Sequence, residues 1–306
     1  MATVTVSGLT KHFGTVAAVR DLSFSAEPGS VTGFLGPNGS GKSTTLRAIL
    51  GLVRPTSGTA TIGGVPYAEL ERPLTSVGAA LETTGFHPGR SGRNHLRWIA
   101  MAAGLPADRV DSLLDRVGLA DAARRKAGGY SLGMKQRLAL AAALLGDPKV
   151  LILDEPANGL DPQGIQWLRD YLRALAGEGR TVLVSSHVLN EIEQMAQKVV
   201  IIDKGQLVRE ENVSDLTSES RVVVVRSPAG GALASRLEQA GGAVEIADGA
   251  LLVRGLSQER IGEIAAESGA VLHELSSRTQ SLESAFLELT READASDTAI
   301  PPPPLA

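Results

Sequence analysis

Apolar residues in this chain follow two different spacings, and the two alternate along much of its length. Short, mostly apolar runs occur at residues 31–35, 150–153, 181–184 and 198–202. Strands in the middle of a parallel sheet are buried on both faces, so such runs predict central parallel strands. At residues 165–176 and 188–196 the apolar positions instead recur with a helical period. This order of strands and helices predicts an α/β fold.

The N-terminal stretch has a shorter and less regular pattern. Alternating apolar positions between residues 4 and 34 are interrupted at Gly14 and at Pro28 and Gly29. Alternation bounded by turn residues predicts antiparallel strands. Two more short strands are expected at residues 59–62 and 76–81. We therefore expect an antiparallel β subdomain beside the parallel sheet.

A helical block separates the early strands from the run at residues 150–153. Leu96, Ile99, Ala100 and Ala103 share one helix face, and a second set of apolar residues repeats in the same way at Val110, Leu113, Leu114 and Val117. Because strand-forming segments lie on both sides, the block at about residues 88–136 is predicted to be an α-helical subdomain inserted into the core.

The C-terminal third has its own pattern. Strands are predicted at residues 221–225, 243–246, 250–253 and 271–275, with helices at 232–240 and 258–267. The order β-α-β-β-α-β is that of a small ferredoxin-like α+β domain. A last helix at residues 281–291 carries Leu282, Ala285, Phe286 and Leu289 on one face, which favours core packing or docking over ligand binding.

These patterns divide the chain into three parts. Residues 1–216 form the α/β unit, 217–291 an accessory α+β domain, and 292–306 a tail. The tail contains four consecutive prolines close to its terminus, and its composition is typical of disorder. A ligand for a proline-binding module is the alternative interpretation of the tail.

The composition excludes several functional classes. The chain of 306 residues contains no cysteine, so disulfides, thiolate metal sites and a cysteine nucleophile are excluded. A net charge of −4 gives no general reason to expect nucleic acid binding. No apolar run approaches the ~18 residues that a membrane span requires, and the N-terminus does not resemble a signal peptide.

The strongest chemical signal follows the first apolar run. The spacing of Gly36, Gly41, Lys42 and Ser43 fits the P-loop pattern, between a predicted strand and a predicted helix. Glycines in such a loop let backbone N–H groups surround phosphate oxygens at a helix N-terminus. The lysine reaches the β- and γ-phosphates, and the serine hydroxyl ligates Mg²⁺. A nucleoside triphosphate is the expected ligand, rather than a glycine-rich turn that contains a lysine by chance.

Polar residues follow two of the other central strands. Asp154 and Glu155 come directly after the run at 150–153, and His187 follows the run at 181–184. Ligands of α/β sheets bind at this edge, so we expect Asp154 to hold Mg²⁺ and Glu155 to polarise the attacking water. His187 is then a candidate γ-phosphate sensor. The alternatives are a solvated strand end for the acids and a packing role for the histidine.

Two weaker signals remain open on the residues alone. Ser131 and Gly133 precede a strongly helical run, which is either a second anion site or an ordinary helix cap. Phe13 is either an adenine-stacking aromatic or a packing residue of the β subdomain.

Taken in order, these motifs resemble the nucleotide-binding subunits of ATP-binding cassette (ABC) transporters, over about residues 2–216. The resemblance matches residues 36–44 to Walker A, 130–136 to the ABC signature, 150–155 to Walker B, 158–161 to the D-loop, His187 to the switch histidine and Phe13 to the adenine-stacking position. It implies a P-loop NTPase (RecA-like) core. The amino-acid sequences of residues 85–88, 130–136 and 158–162 resemble those of the bacitracin and daunorubicin-type exporters of bacteria.

The resemblance also implies a set of site residues and partners. The nucleotide-binding residues are Phe13, Gly36, Asn38, Gly39, Gly41, Lys42, Ser43, Thr44, Ser131, Gly133, Gln136 and Asp161. The catalytic residues are Glu155, His187, Lys42 and Glu82, and the Mg²⁺ ligands are Ser43, Asp154 and Glu82. Glu82 departs from the glutamine usual at that position, which changes its charge. The resemblance implies that two cassettes pair head to tail, so that Ser131 and Gly133 of one address the ATP of the other. The second cassette is either another copy of this chain or a related one.

The expected function is therefore ATP hydrolysis that powers export of drugs or other amphipathic compounds. A separate membrane permease would hold the chain at the cytoplasmic face of the membrane. An importer ATPase shares every catalytic motif. A non-transport protein of translation or DNA repair is the other alternative, but the chain has a single P-loop and no long coiled coil.

Overall fold

The computed structural model describes residues 2–81, 85–219 and 221–279. The chain forms two compact units, Met1–Asn212 and Val213–Ala306. Glu82, the segment 281–291 and the tail 292–306 lie outside the described residues. Within the described ranges, no helix has both the length and the apolar character needed to cross a membrane.

The N-terminal unit contains two sheets and seven α-helices among its described residues. In chain order the elements are β1 (Val4–Phe13), β2 (Val16–Ala26), β3 (Val31–Leu35), α1 (Lys42–Ile49), β4 (Ser57–Ile62), α2 (Pro73–Ser76), β5 (Val77–Ala80), α3 (Gly92–Ala102), α4 (Arg109–Arg116), α5 (Leu132–Ala143), β6 (Val150–Asp154), α6 (Pro162–Gly177), β7 (Thr181–Ser186), α7 (Leu189–Met195), β8 (Lys198–Asp203) and β9 (Gln206–Asn212).

The larger sheet has six strands in the order β5-β6-β7-β3-β8-β9. Its pairs are parallel except for β8 with β9. Every residue of β3, β6 and β7 is buried, as their apolar runs predict. The register pairs Leu35 with Ser186 and Asp154 with Ser185, so these three neighbouring strands end level with one another. The loops after them therefore meet at one edge.

The smaller sheet is antiparallel, in the order β2-β1-β4. It packs on the larger sheet through a shared apolar core in which the rings of Phe24 and Phe34 stack with centroids 5.0 Å apart. The α-helical subdomain is also present: Leu96, Ala100, Val110 and Leu113 are all buried at their predicted helix faces. The predicted α/β fold class is confirmed.

Two details of the N-terminal unit differ from the sequence prediction. The strand predicted at residues 76–81 begins with the helical turn α2, and only Val77–Ala80 are extended. Strand β9 was not predicted at all. It is an edge strand of mixed composition that is half-exposed, so it lacks the apolar run that identified its neighbours.

The second unit contains α8 (Val213–Glu219), β10 (Arg221–Arg226), α9 (Gly230–Gln239), β11 (Ala243–Ala247), β12 (Ala250–Arg254), α10 (Gln258–Glu267) and β13 (Glu274–Thr279). Its antiparallel sheet has the order β11-β12-β10-β13, a ferredoxin-like arrangement. The last strand lies later than residues 271–275, where it was predicted. The ladder with β10 begins only at Glu274, and Val271 is exposed.

Candidate functional site

A cavity of about 300 Å³ lies where the loops after β3, β6 and β7 meet. Its lining consists of Ala18, Asn38, Gly39, Gly41, Lys42, Ser43, Thr44, Glu155, Asn158 and His187. Three regions that are far apart in sequence therefore contribute to one site. The level ends of the parallel strands bring them together.

The loop before α1 is shaped to receive an anion. Gly39 and Gly41 have positive φ values of 84° and 101°, which glycine adopts without strain. Gly41 also caps α1, and as a glycine it has no side chain that could accept from the first N–H groups of that helix. The first helical residues, Lys42 and Ser43, line the cavity. Free N–H groups and the positive end of the helix dipole thus face the same space.

Lys42 provides a nearly buried positive charge on the cavity wall. Its Nζ donates to the carbonyl oxygens of Gly36 at 2.6 Å and Pro37 at 3.2 Å. It also lies 3.7 Å from the Glu155 Oε1. The backbone of the loop thus holds the ammonium in position while leaving its charge available to a ligand.

Glu155 connects the lysine with the histidine. Its Oε2 lies 2.8 Å from the His187 Nδ1, and its other carboxylate oxygen faces Lys42. Its backbone has a φ of 50°, which is uncommon for a residue other than glycine. The Glu155 N–H donates to the Ser185 carbonyl at 3.2 Å and to the Ser185 Oγ at 3.0 Å, and both bonds hold this strained conformation. Such outliers are concentrated at functional sites.

Asp154 has one oxygen bound by protein and one that is not. Its Oδ1 accepts a hydrogen bond from the buried Ser185 hydroxyl. Its Oδ2 is buried and has no hydrogen-bond partner in the described part of the chain. A buried carboxylate oxygen without a donor suits a cation or its water. Mg²⁺ is usually bound by one or two carboxylates together with phosphate and water, which this oxygen fits. Among the described residues, no group of three or more His, Cys, Asp or Glu side chains could hold a metal ion.

A second carboxylate lies close to this site. Glu191 on α7 is half-buried, and its Oε2 lies 3.5 Å from the Ser186 Oγ. The same hydroxyl accepts a bond from the Val188 N–H at 2.9 Å, across His187. Burial raises the pKa of the Glu191 carboxyl, and repulsion from Glu155 raises it further.

The structure brings most of the predicted P-loop and catalytic residues to the cavity. Asn38, Gly39, Gly41, Lys42, Ser43, Thr44, Glu155 and His187 all line it. Gly36 accepts from the lining residue Lys42, and Asp154, which directly precedes Glu155, accepts from Ser185. Phe13 does not line the cavity: it lies at the end of β1, is 51% exposed and has the Lys11 Nζ 4.8 Å from its ring centroid.

The predicted signature residues also lie outside this cavity. Ser131 caps α5 by accepting from the Met134 N–H at 3.2 Å, and Asp161 caps α6 by accepting from the Gly164 N–H at 2.8 Å. The Gln136 side chain donates to the Asn158 carbonyl at 3.4 Å. None of these residues is among those that line the P-loop cavity, although Asn158, which Gln136 contacts, does line it.

Three residues of the site were not predicted. Ala18 carries no chemical group that a motif search could recognise, and only the fold places it at the cavity. Asn158 belongs to the predicted D-loop segment, whose proximity to the acids was the available signal. Ser185 follows a strand run directly, and only its register opposite Asp154 explains its contact with that side chain.

Comparison with known proteins finds two matching families. A family model described as ABC transporter matches residues 19–158. A second model, described as a domain of unknown function, matches residues 221–283.

Individual relatives match over longer stretches. An uncharacterized ABC transporter ATP-binding protein of Bacillus subtilis strain 168, YdbJ, is 41% identical over 72% of this chain and 73% of its own length. The bacitracin transport ATP-binding protein BcrA of Enterococcus faecalis is 36% identical over 94% of this chain and 96% of its own. A solved structure described as an ATP-binding subunit of an ABC transporter has a TM-score of 0.64 at 26% identity, covering 86% of this chain and 99% of that one.

Proposed function

This chain belongs to the family of ABC transporter ATP-binding proteins, which hydrolyse ATP to power transport, and from that premise we propose that it energises export of an amphipathic compound. The observation that carries the proposal is the contact series from Lys42 through Glu155 to His187 along one wall of the P-loop cavity. An ammonium, a carboxylate and an imidazole in contact around one space support the proposed roles of phosphate binding, base and γ-phosphate sensor.

We propose that the triphosphate lies along the P-loop. The N–H groups at Gly39, Gly41 and the start of α1 bind its phosphate oxygens, and the Lys42 ammonium binds the terminal phosphates. Phe13 contacts the adenine ring. Its exposed position at the end of β1 leaves a ring face available for stacking.

Glu155 is proposed as the group that orients and deprotonates the attacking water. A bound phosphate would replace its contact with Lys42, since the carboxylate and the phosphate compete for the same ammonium. His187, 2.8 Å from Glu155, would hold that carboxylate in place and contact the γ-phosphate.

Ser43 and Asp154 are the proposed Mg²⁺ ligands. Ser43 lines the cavity, and the Asp154 Oδ2 is a buried oxygen that lacks a partner in the described residues. When bound, Mg²⁺ neutralises charge on the transferred phosphate. Glu82 stays a candidate ligand and lies outside the described residues.

A second cassette is proposed to complete the site. Ser131, Gly133, Gln136 and Asp161 lie outside the cavity of their own chain. Leu132, between the signature serine and glycine, is 54% exposed, so this helix start is available to another copy. We propose head-to-tail pairing in which these residues close over the partner's ATP.

The direction of transport and the membrane partner are proposed from the relatives. BcrA is a bacitracin transport protein by name, and it matches nearly the whole length of this chain. We propose that a separate permease receives the chain at the cytoplasmic face, with residues 1–216 as the ATPase and 217–291 as an accessory domain. The separate family match over residues 221–283 supports that division.

The test of export uses cells that carry the transporter with either the wild-type chain or Glu155→Gln. Accumulation of fluorescent amphipathic dyes is expected to be lower in cells with the active chain. Higher accumulation would identify an importer. The tagged Glu155→Gln chain, purified from detergent-solubilised membranes with ATP, should bring a polytopic membrane protein in fixed ratio. Ribosomes or DNA in its place would contradict the proposed function.

A further inference from the structure

The outer side of α3 carries large apolar side chains that the fold does not use. Trp98 is 54% exposed and Met101 is 75% exposed, whereas Leu96 and Ala100 of the same helix are fully buried. Arg97, Trp98 and Met101 lie within one helical turn of each other on the exposed side. We call Arg90, Arg97, Trp98, Met101 and Arg124 the α3 face.

The α3 face is also basic. The guanidinium carbon of Arg90 lies 4.9 Å from the centroid of the Trp98 ring. The pKa of the Asp111 carboxyl is lowered first by its hydrogen bond from Arg93 and also by the nearby charges of Arg97 and Arg124. Arg93 bonds directly to this carboxylate, whereas Arg97 and Arg124 are exposed side chains.

The surrounding subdomain has the same charge bias. Between residues 88 and 136, Lys and Arg outnumber Asp and Glu by nine to four, although the whole chain has a net charge of −4. The positive charge is therefore concentrated in the part of the chain that also exposes Trp98 and Met101. This combination points to a partner with negative charge outside and apolar material beneath.

We propose that the α3 face binds the surface of an anionic lipid bilayer. Tryptophan side chains favour the headgroup level, with the apolar part of the ring toward the acyl chains. Met101 would enter the same layer, while Arg90, Arg97 and Arg124 pair with lipid phosphates. The exposed face of a helix suits this shallow contact, because it can lie in the plane of the bilayer surface.

This inference is independent of the proposed function. It concerns the chain alone, without nucleotide and without a membrane subunit. Its test therefore uses the purified full-length chain with lipid vesicles and no ATP. A failure of ATP hydrolysis would leave the result unaffected, and a failure of vesicle binding would leave the ATPase assignment unaffected.

The experiment measures cosedimentation with vesicles of phosphatidylcholine alone and of phosphatidylcholine mixed with phosphatidylglycerol. Binding is expected only to the anionic vesicles, and salt should weaken it. Arg97→Gln with Arg124→Gln should lower the partition coefficient about thirtyfold, from ~1 kcal/mol for each arginine. Trp98→Ser with Met101→Ser should also weaken binding.

The matched control is Leu52→Ser with Arg20→Gln. Both positions are exposed and lie outside the α3 face, and the pair removes one apolar group and one charge. This control should bind anionic vesicles like the wild type. All variants are compared after their circular dichroism spectra and ATPase rates are shown to match the wild type.

Several results would overturn the proposal. These are equal binding to both kinds of vesicle, no binding to either, or wild-type binding by the α3 face variants. If the wild-type chain ignores vesicles and the α3 face variants lose the membrane subunit on purification, the face is a protein contact and not a lipid contact.

Discussion

Replacement of Ser185 by alanine tests how the acids after β6 are positioned. The Ser185 side chain is fully buried between Asp154 and Glu155. Its hydroxyl donates to the Asp154 Oδ1 and accepts from the Glu155 N–H at 3.0 Å. Ser185→Ala removes both bonds and adds no bulk. Its effects should therefore come from the Asp154 side chain and the Glu155 backbone, which lose their bonds to the hydroxyl.

The size of the effect follows from these two bonds. A hydrogen bond to a charged group contributes about 1.5–3 kcal/mol, and a neutral one about 0.5–1.5 kcal/mol. The Glu155 N–H keeps its bond to the Ser185 carbonyl, so losing its bond to the hydroxyl should cost an amount near the lower end of the neutral range. We expect Ser185→Ala to lower the free energy of unfolding by about 2–3 kcal/mol. Because Asp154 loses its orienting donor, half-maximal ATPase activity should require about tenfold more Mg²⁺.

Tryptophan fluorescence during urea unfolding measures the stability change in the correct unit. The chain has 2 tryptophans, Trp98 and Trp167, and both belong to the N-terminal unit. Unfolding of the other unit therefore does not contribute directly to the signal. A Mg²⁺ titration of ATPase activity on the same samples measures the second effect.

Ser112→Ala is the matched control. It deletes an exposed hydroxyl in α4 that bonds only to the Arg109 carbonyl among the described contacts. Its free energy of unfolding should stay within about 0.5 kcal/mol of the wild type. If Ser185→Ala changed the free energy of unfolding equally little and left the Mg²⁺ requirement unaltered, Ser185 would not position the two acids.

Three further predictions concern the P-loop, the second carboxylate and the base contact. A Cβ on Gly36 would lie 2.4 Å from a backbone oxygen, whereas one on Gly39 meets open space at a φ of 84°. In urea unfolding, Gly36→Ala should cost about 3 kcal/mol and Gly39→Ala about 1 kcal/mol; the reverse order would contradict the packing described. Burial, with Glu155 nearby, raises the pKa of Glu191 in the folded state. The stability of the wild type therefore falls as the pH rises from the pKa of Glu191 in the unfolded chain to its higher pKa in the folded chain. Glu191→Gln should therefore raise the melting temperature more at about pH 7.5 than at about pH 4, and a gain that is the same at both would argue against the shift. Phe13→Ala should weaken ATP binding by about 1–3 kcal/mol but leave inorganic triphosphate binding unchanged, and equal losses would exclude stacking.

The sequence predicted the elements that carry a strong apolar period. Strands β3, β6 and β7 are buried on both faces, so their composition alone identified them. Strand β9 escaped prediction because an edge strand that is half-exposed has no such run. The start of β13 was misplaced for a related reason: Val271 is apolar but exposed, and only pairing with β10 defines where the strand begins.

The residues of the candidate site could be predicted where the functional residues lie close together in one short segment of the sequence. The P-loop spacing and the acids after β6 are each recognisable in a short segment. The contact of Ser185 with Asp154 depends on the register between two strands, which no spacing in the sequence reveals. The Glu191 carboxyl likewise owes its altered pKa to burial and to Glu155, far away along the chain.

Side-by-side measurement of ATP binding and ATP turnover in Glu155→Gln tests the central claim most directly. We predict that turnover falls about 10²- to 10⁴-fold, because the general base is lost. ATP binding should persist, because Lys42 and the P-loop remain. Glu69→Gln, which changes an exposed carboxyl outside the cavity, should keep the wild-type rate. Wild-type turnover by Glu155→Gln would contradict the claim that this cavity performs hydrolysis through Glu155.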